Sequence, residues 1–283
     1  MGNFYQGVVA TLVSLLCLSV QAAPLTKSKF RSELNKKKNT VFSMTASLST
    51  LSNAYDPSSS LNYGETNVSL TPYLKLANGI SMFATVGAKQ VHVDERQSEV
   101  NNTSLGLSLK PVTLSKNWIW SNTLVGVLPT NYRTKQLYSF MGSSSYTTGL
   151  NQKAKILDIP FSVNYSLVAK RNFHEFSRSS FDSANIMQSG TALISLSKSF
   201  LKERLRIALS GSGSLNETYQ GRQSNSFSLN QSISYVVIPK NQATLSLGHS
   251  NAGDVYKPDG ETSNIDFFNE RSSSFFGALS YTF

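Results

Sequence analysis

The sequence predicts an all-β protein: a transmembrane, antiparallel, up-and-down β-barrel of about twelve strands. Three observations predict it. Apolar residues recur at every second position in run after run, the period of a strand with one apolar face. The residues between them are mainly Ser, Thr, Asn and Gly rather than Lys, Glu and Asp. No segment beyond the N-terminal stretch is apolar enough for a spanning helix, so a membrane crossing would use strands.

Composition agrees. Of 283 residues, 40% are hydrophobic and 15% charged, against the roughly one quarter of charged residues usual in soluble domains. The 16 Phe and 12 Tyr are too many for a disordered chain. A net charge of +10 raises nucleic-acid binding as a first thought. The basic residues are scattered and the chain opens with an export segment, so nucleic acid is excluded as a partner. The tightest cluster, Lys36, Lys37 and Lys38, reads as a solvated stretch before the first strand.

Taken in order, residues 8–20 form an apolar run that fits a signal-peptide core and is too short to span a membrane. Val20 and Ala22 stand at the cleavage-site positions. The expected organisation is a signal peptide over 1–22, a basic N-terminal segment over 23–39 that is periplasmic or a plug, and a barrel over 40–283. The single cysteine, Cys17, falls in the signal peptide. The mature chain then has no disulfide and no thiolate metal site, and no cofactor is implied. Ser14, Leu15 and Leu16 before it do not make a lipid-attachment sequence.

The strands follow. Phe42, Met44, Ala46 and Leu48 alternate with small polar residues, as do Val68, Leu70, Pro72, Leu74 and Leu76. Asn78-Gly79 then signals a tight hairpin. Met82, Ala84, Val86 and Ala88 form the third run; Leu105, Leu107 and Leu109 the fourth; residues 118–128 the fifth, of unassigned facing. Residues 129–155 read as a long loop. Leu157, Ile159, Phe161, Val163, Tyr165 and Leu167 form the sixth run, and residues 173–179 a weak seventh. The rest are centred on Ala192 to Leu196, Leu205 to Leu209, Phe227 to Val237, Ala243 to Leu247, and Phe275 to Phe283. The total is twelve, or ten if the weak run and its neighbour fail. An even number brings both chain ends to one side. Short connections are expected near Asn78-Gly79, Lys116, Lys170-Arg171, Lys202-Glu203 and Pro239-Lys240, with longer loops on the other side, outside the cell.

The faces decide between a membrane barrel and a soluble sandwich. The apolar parity carries no charged residue in mid-strand, where charge facing lipid costs roughly 2–4 kcal/mol. The polar parity is nearly neutral, as a lumen would be. A sandwich would carry Lys, Glu and Asp on its wet faces.

The last run, Phe275, Gly277, Leu279, Tyr281 and Phe283, resembles the C-terminal insertion signal of Gram-negative outer-membrane β-barrel proteins, an alternating strand that ends in an aromatic residue. That resemblance implies an outer-membrane location, contact with its lipid, and recognition of Phe275, Leu279, Tyr281 and Phe283 by the β-barrel assembly machinery.

Few constellations carry chemistry. Gly248-His249-Ser250-Asn251 resembles the His-x-Ser-Asn motif of outer-membrane lipid hydrolases, with Glu261 beyond it. Here His249 and Ser250 are adjacent, and neighbours in a strand point to opposite faces, so the sequence does not predict an enzyme. His92 and Asp94 are too few for a metal site, and His174 has no partner in the sequence. Lys75, Lys110 and Arg206 have lumen-facing parity near short turns, with Asp158 the lone acid of that parity. Basic rings favour anions; flanking the membrane at head-group level is the other reading of these residues. The expectation is a narrow passive channel for small polar or anionic solutes, with Lys75, Lys110 and Arg206 setting charge preference. The alternative is a non-transporting barrel whose outer loops, rich in Tyr132, Tyr138 and Tyr146, bind a partner or surface.

Overall fold

A computed structural model describes residues 41–53, 63–76, 79–92, 97–156, 159–238, 243–255, 263–269 and 272–283. The signal peptide, the 23–39 segment, Asn78, Asp94, Asp158, Pro239-Lys240 and Glu261 lie outside the described residues.

The strands are β1 (Val41–Asn53), β2 (Gly64–Lys75), β3 (Ser81–Val91), β4 (Gln97–Val100), β5 (Thr103–Ser108), β6 (Val112–Ser115), β7 (Trp118–Leu128), β8 (Phe140–Ile156), β9 (Ile159–His174), β10 (Ile186–Phe200), β11 (Leu205–Thr218), β12 (Gln223–Ile238), β13 (Ala243–Asp254) and β14 (Ser273–Thr282). Apart from the short strands β4, β5 and β6, neighbours in sequence pair with one another, β14 pairs antiparallel with β1, and β2 pairs with both β1 and β3, so the sheet closes on itself. Three short strands share one position in the wall. β4 and β5 both pair with β3, while β5 and β6 both pair with β7. One break in this stave falls at Pro111, which has no N–H to give a ladder. The result is a closed antiparallel barrel of twelve staves.

The predicted total therefore holds, through two errors that cancel. The stretch read as a long loop contains β8, 17 residues long. The weak run over 173–179 is not a separate strand: Phe173 and His174 end β9, and the chain then loops to β10. Lys170 and Arg171, expected at a short turn, lie inside β9. Only residues 129–139 remain of the expected loop, and they hold α1 (Tyr132–Tyr138). The Asn131 side chain caps it by accepting from the Thr134 N–H at 2.8 Å. Among the described residues no helix is long and apolar enough to cross a membrane.

The two faces of the wall differ in crowding, and crowding tells inside from outside, because side chains converge within a closed cylinder and diverge outside it. On the polar parity, hydroxyls bridge neighbouring staves, as in Thr191–Ser214 at 2.8 Å, Thr45–Thr282 at 2.9 Å and Ser246–Ser234 at 3.0 Å. The rings of Phe83 and Phe276 on this face lie over Gly106 and Gly248. On the apolar parity, Gly126, Gly190 and Gly213 have open space above them. Leu167 and Leu247 there are each 60% exposed, and Ile194 is 50% exposed. The polar parity lines the lumen and the apolar parity faces out.

Gly248 shows how tight the inner face is. A methyl group there would meet both the Phe276 ring and the backbone carbonyl of Gln231, so rotating the ring alone cannot make room. Gly248→Ala is expected to cost about 1–3 kcal/mol through overpacking, read as a lower urea midpoint. Gly213→Ala on the open outer face stays within about 0.5 kcal/mol of wild type.

Candidate functional site

The lumen holds the candidate site, and its charges are sorted by height. At the short-turn end a cavity of about 1300 Å³ is lined by Lys153 and Lys155 of β8, Arg204 before β11 and Arg206 within it, with Glu203 as the acid among them. The strand period places Lys153 and Lys155 on the lumen side, opposite Ser162 and Pro160. Arg206 lies opposite Ser199 and Ser234, and its guanidinium donates to the Ser197 hydroxyl at 2.9 Å. That bond steers the cation along the inner wall.

Of the three residues predicted to set charge preference, Arg206 belongs to this cluster. Lys75 closes β2, opposite Ser81, and Lys110 sits in the break between β5 and β6, its aliphatic part against Gly79. Both are at the short-turn end, beside the turns where the sequence placed them, but neither lines the cavity. Lys153 and Lys155 escape the sequence reading because they fall in the stretch taken for a loop.

The loop end is mixed in charge, which corrects the expectation that Asp158 is the lone lumen acid. Glu65 and Glu99 both have lumen-facing parity, opposite Val91 and Lys89. Glu65 accepts from the Tyr63 hydroxyl at 2.6 Å and from Asn67 at 2.8 Å, with the Lys89 ammonium 3.9 Å away. Burial first, then the bond to Glu65, pushes the Tyr63 phenol up to about 12. Glu99 takes the Arg133 guanidinium at 3.0 Å and the Asn131 amide at 3.1 Å. Arg133 also donates to Gln97 at 3.0 Å. These bonds tie α1 to the inner wall at the loop end of β4.

The loop over 175–185 is stitched to α1. The Ser180 N–H donates to the Leu137 carbonyl at 2.8 Å, and the Asn185 amide donates to Tyr138 O at 3.1 Å. The two loops together roof part of the lumen.

The His249 segment does not assemble a catalytic pair. His249 lies opposite Gln231 and Phe275, on the outer face, whereas Ser250 lies opposite Asn230 and Ser274, on the inner one. His249 stacks on Phe268 and touches Phe275, with ring centroids at 5.8 and 5.2 Å. Residues 263–269 strap this part of the outer wall. Asn251 donates to Asp266 O, and the Ser273 hydroxyl accepts from the Asn269 N–H at 2.9 Å. His92 bonds Thr66 at 2.9 Å. Among the described residues no group of three potential metal ligands occurs.

Aromatic side chains ring the outer face toward the short-turn end. Trp118 stacks with Tyr165 at 6.3 Å, and the Lys198 ammonium lies 5.5 Å from both the Phe161 and Phe200 rings. Phe275, Leu279 and Tyr281 also face out, level with Ser52, Leu48 and Ala46, and Tyr281 packs edge-on to Phe283 at 4.9 Å.

No family model matches the chain, and no curated protein does. Solved structures do. An outer-membrane channel from Pseudomonas putida F1 is similar with a TM-score of 0.54 at 14% identity, over 87% of this chain and 95% of that one. The NanC porin is similar with a TM-score of 0.51 at 8% identity, over 86% of this chain and 99% of that one. At such identities the likeness is one of fold: a closed antiparallel barrel of the kind found in outer-membrane channels.

Proposed function

We propose that this chain is an outer-membrane channel of narrow bore, which passes small polar solutes passively and prefers anions. The observation that carries the reading is the group of four cations, Lys153, Lys155, Arg204 and Arg206, facing one cavity with a single acid, Glu203, among them. Fixed positive charges lining a pore raise the local concentration of anions and lower their barrier to passage. The membrane setting is supported by the broad outward-facing apolar surface and its aromatic girdle, the pattern that lipid requires. In this reading residues 1–22 direct export and are removed, and the assembly machinery takes the chain by the β14 strand with its Phe275, Leu279, Tyr281 and Phe283.

Twelve staves stand between barrels filled by their own side chains and wide aqueous pores, so the roof of α1 and the 175–185 loop limits the bore. Refolded protein in planar bilayers under a salt gradient is expected to give discrete current steps with an anion-selective reversal potential. A folded, heat-modifiable barrel that never conducts overturns the channel reading. It would favour a binding role for the loops, whose exposed Tyr132, Phe176 and Phe181 could contact a partner or surface.

A further inference from the structure

The outer wall is not evenly convex. A trough crosses its β8–β11 face, running from the loop end toward the aromatic girdle. Three cavities join to form it, of about 580, 570 and 730 Å³ in that order. The middle one shares Ala169, Gly190 and Leu215 with the upper, and Leu167, Ala192 and Gly213 with the lower. Small residues make the floor: Ala169 lies opposite Gly190, and Ala192 opposite Gly213. Both glycines have open space above them. Tyr146 and Leu167 rise on one side of this floor, Leu215 and Phe227 on the other.

The floor spans three staves, roughly 10 Å at the usual strand spacing. Another barrel presents a convex wall and cannot seat in so narrow a channel, whereas a hydrocarbon chain can. The charges are confined to the upper rim. Arg171 stands opposite Gln188, and Gln188 opposite Glu217. The Arg171 guanidinium donates to the Gln188 amide oxygen at 3.1 Å, and the Gln188 amide nitrogen donates to the Glu217 carboxylate at 2.5 Å. Neither charge makes an ion pair among the described residues. The bridging glutamine thus holds a cation and an anion side by side without letting them neutralise each other. A guanidinium matches a phosphodiester, and a carboxylate matches a primary ammonium. The rim is complementary to a zwitterionic head that carries both, above a trough that takes its chain.

We propose that the trough is a binding site for one phospholipid with an ethanolamine head, its phosphate on Arg171, its ammonium on Glu217 and an acyl chain over the Ala169, Gly190, Ala192 and Gly213 floor. The assignment rests on the outer wall meeting lipid, as the membrane reading has it, and not on conduction. Bound lipid fills the one concavity that the glycines leave in the wall, and it stabilises the barrel by mass action.

The test uses the chain's own fluorescence. It has two tryptophans, Trp118 and Trp120, and Trp120 lines the lower cavity. Trp118→Phe therefore leaves a single reporter in the trough. The detergent-refolded full barrel is titrated with phosphatidylethanolamine brominated on its acyl chains, since bromine quenches indole on contact. Quenching is expected to saturate at one lipid per barrel. Phosphatidylglycerol, which lacks the ammonium, and phosphatidylcholine, whose nitrogen has no N–H, should each need at least fivefold more lipid. Arg171→Gln should weaken all three lipids, Glu217→Gln should abolish the preference for ethanolamine, and Gly213→Leu, which fills the floor, should weaken phosphatidylethanolamine at least fivefold. Lys198→Gln, at the other end of the wall, should keep wild-type binding. Arg171 is an exposed side chain, so its variant folds even if Gly213→Leu does not, and heat-modifiable migration reports the fold of each. Quenching that grows without saturating, equal half-points for the three lipids, or wild-type binding in Arg171→Gln each overturns the site. A barrel that conducts but shows only unsaturable quenching loses the lipid site alone, and one that binds the lipid but carries no current loses the channel reading alone.

Discussion

Leu247→Arg is expected to remove roughly 2–4 kcal/mol of folding stability when the protein is unfolded from lipid vesicles by denaturant. Leu247 sits midway along β13, opposite Ile233 and Gly277, and projects from the outer wall. In lipid its guanidinium replacement has no water and no partner within reach, apart from what a bent side chain can find at the interface. The adjacent Ser246 faces inward, opposite Ser234 and Ala278. Ser246→Arg places the same charge in a wet lumen and should cost about 1 kcal/mol or less. The comparison isolates the face, since the two positions are neighbours at the same height. Equal losses at both would mean that the outer wall is not in contact with hydrocarbon.

The second large effect concerns the vestibule. Replacing Lys153, Lys155, Arg204 and Arg206 together by Gln should lower the anion-to-cation permeability ratio about fivefold at roughly 0.1 M salt, where the Debye length of about 10 Å lets four charges around one cavity act together. In wild type the preference should already fade near 1 M salt, where that length shrinks to about 3 Å. The Lys75→Gln/Lys110→Gln double variant should shift the ratio less, because neither side chain lines the cavity. Reversal potentials under a salt gradient read all three. A quadruple variant with unchanged selectivity would move the determinant elsewhere in the lumen.

Much of the barrel was legible because a wall with an apolar outer face and a polar inner face imposes a simple pattern. Wherever one face of a stave carries Leu, Ile, Val or Phe and the other carries Ser or Thr, the period of two betrays the strand, as in β10, β11 and β12. β8 escaped for a physical reason. Its outward positions include Ser144, Tyr146 and Thr148, so both faces read as polar. The neighbouring stave makes this tolerable: Tyr146 donates to Asn122 at 2.5 Å, and the Trp120 indole donates to Thr148 at 2.8 Å. A polar outer face whose groups satisfy one another across staves leaves no trace in hydropathy. Arg206 was legible as a lumen cation because β11 alternates cleanly. Lys153 and Lys155 inherited the illegibility of β8. A cavity at the loop end had no signal at all, since Lys170 and His174 line it with Tyr138 and Asn185 only through the folding of two loops.

The seam between β1 and β14 sets the order of assembly. Thr45 and Thr282, which bond across it, stand 237 positions apart in the chain. Among the described residues the pairings between the other staves are far more local, so hairpins can form early while this last pairing waits for the whole sheet to exist. Until then two strand edges remain open, each able to pair with any other extended chain. The vulnerable species is thus an almost complete, unclosed sheet, and its lifetime rather than the stability of the finished cylinder governs how much of the protein is lost to aggregation.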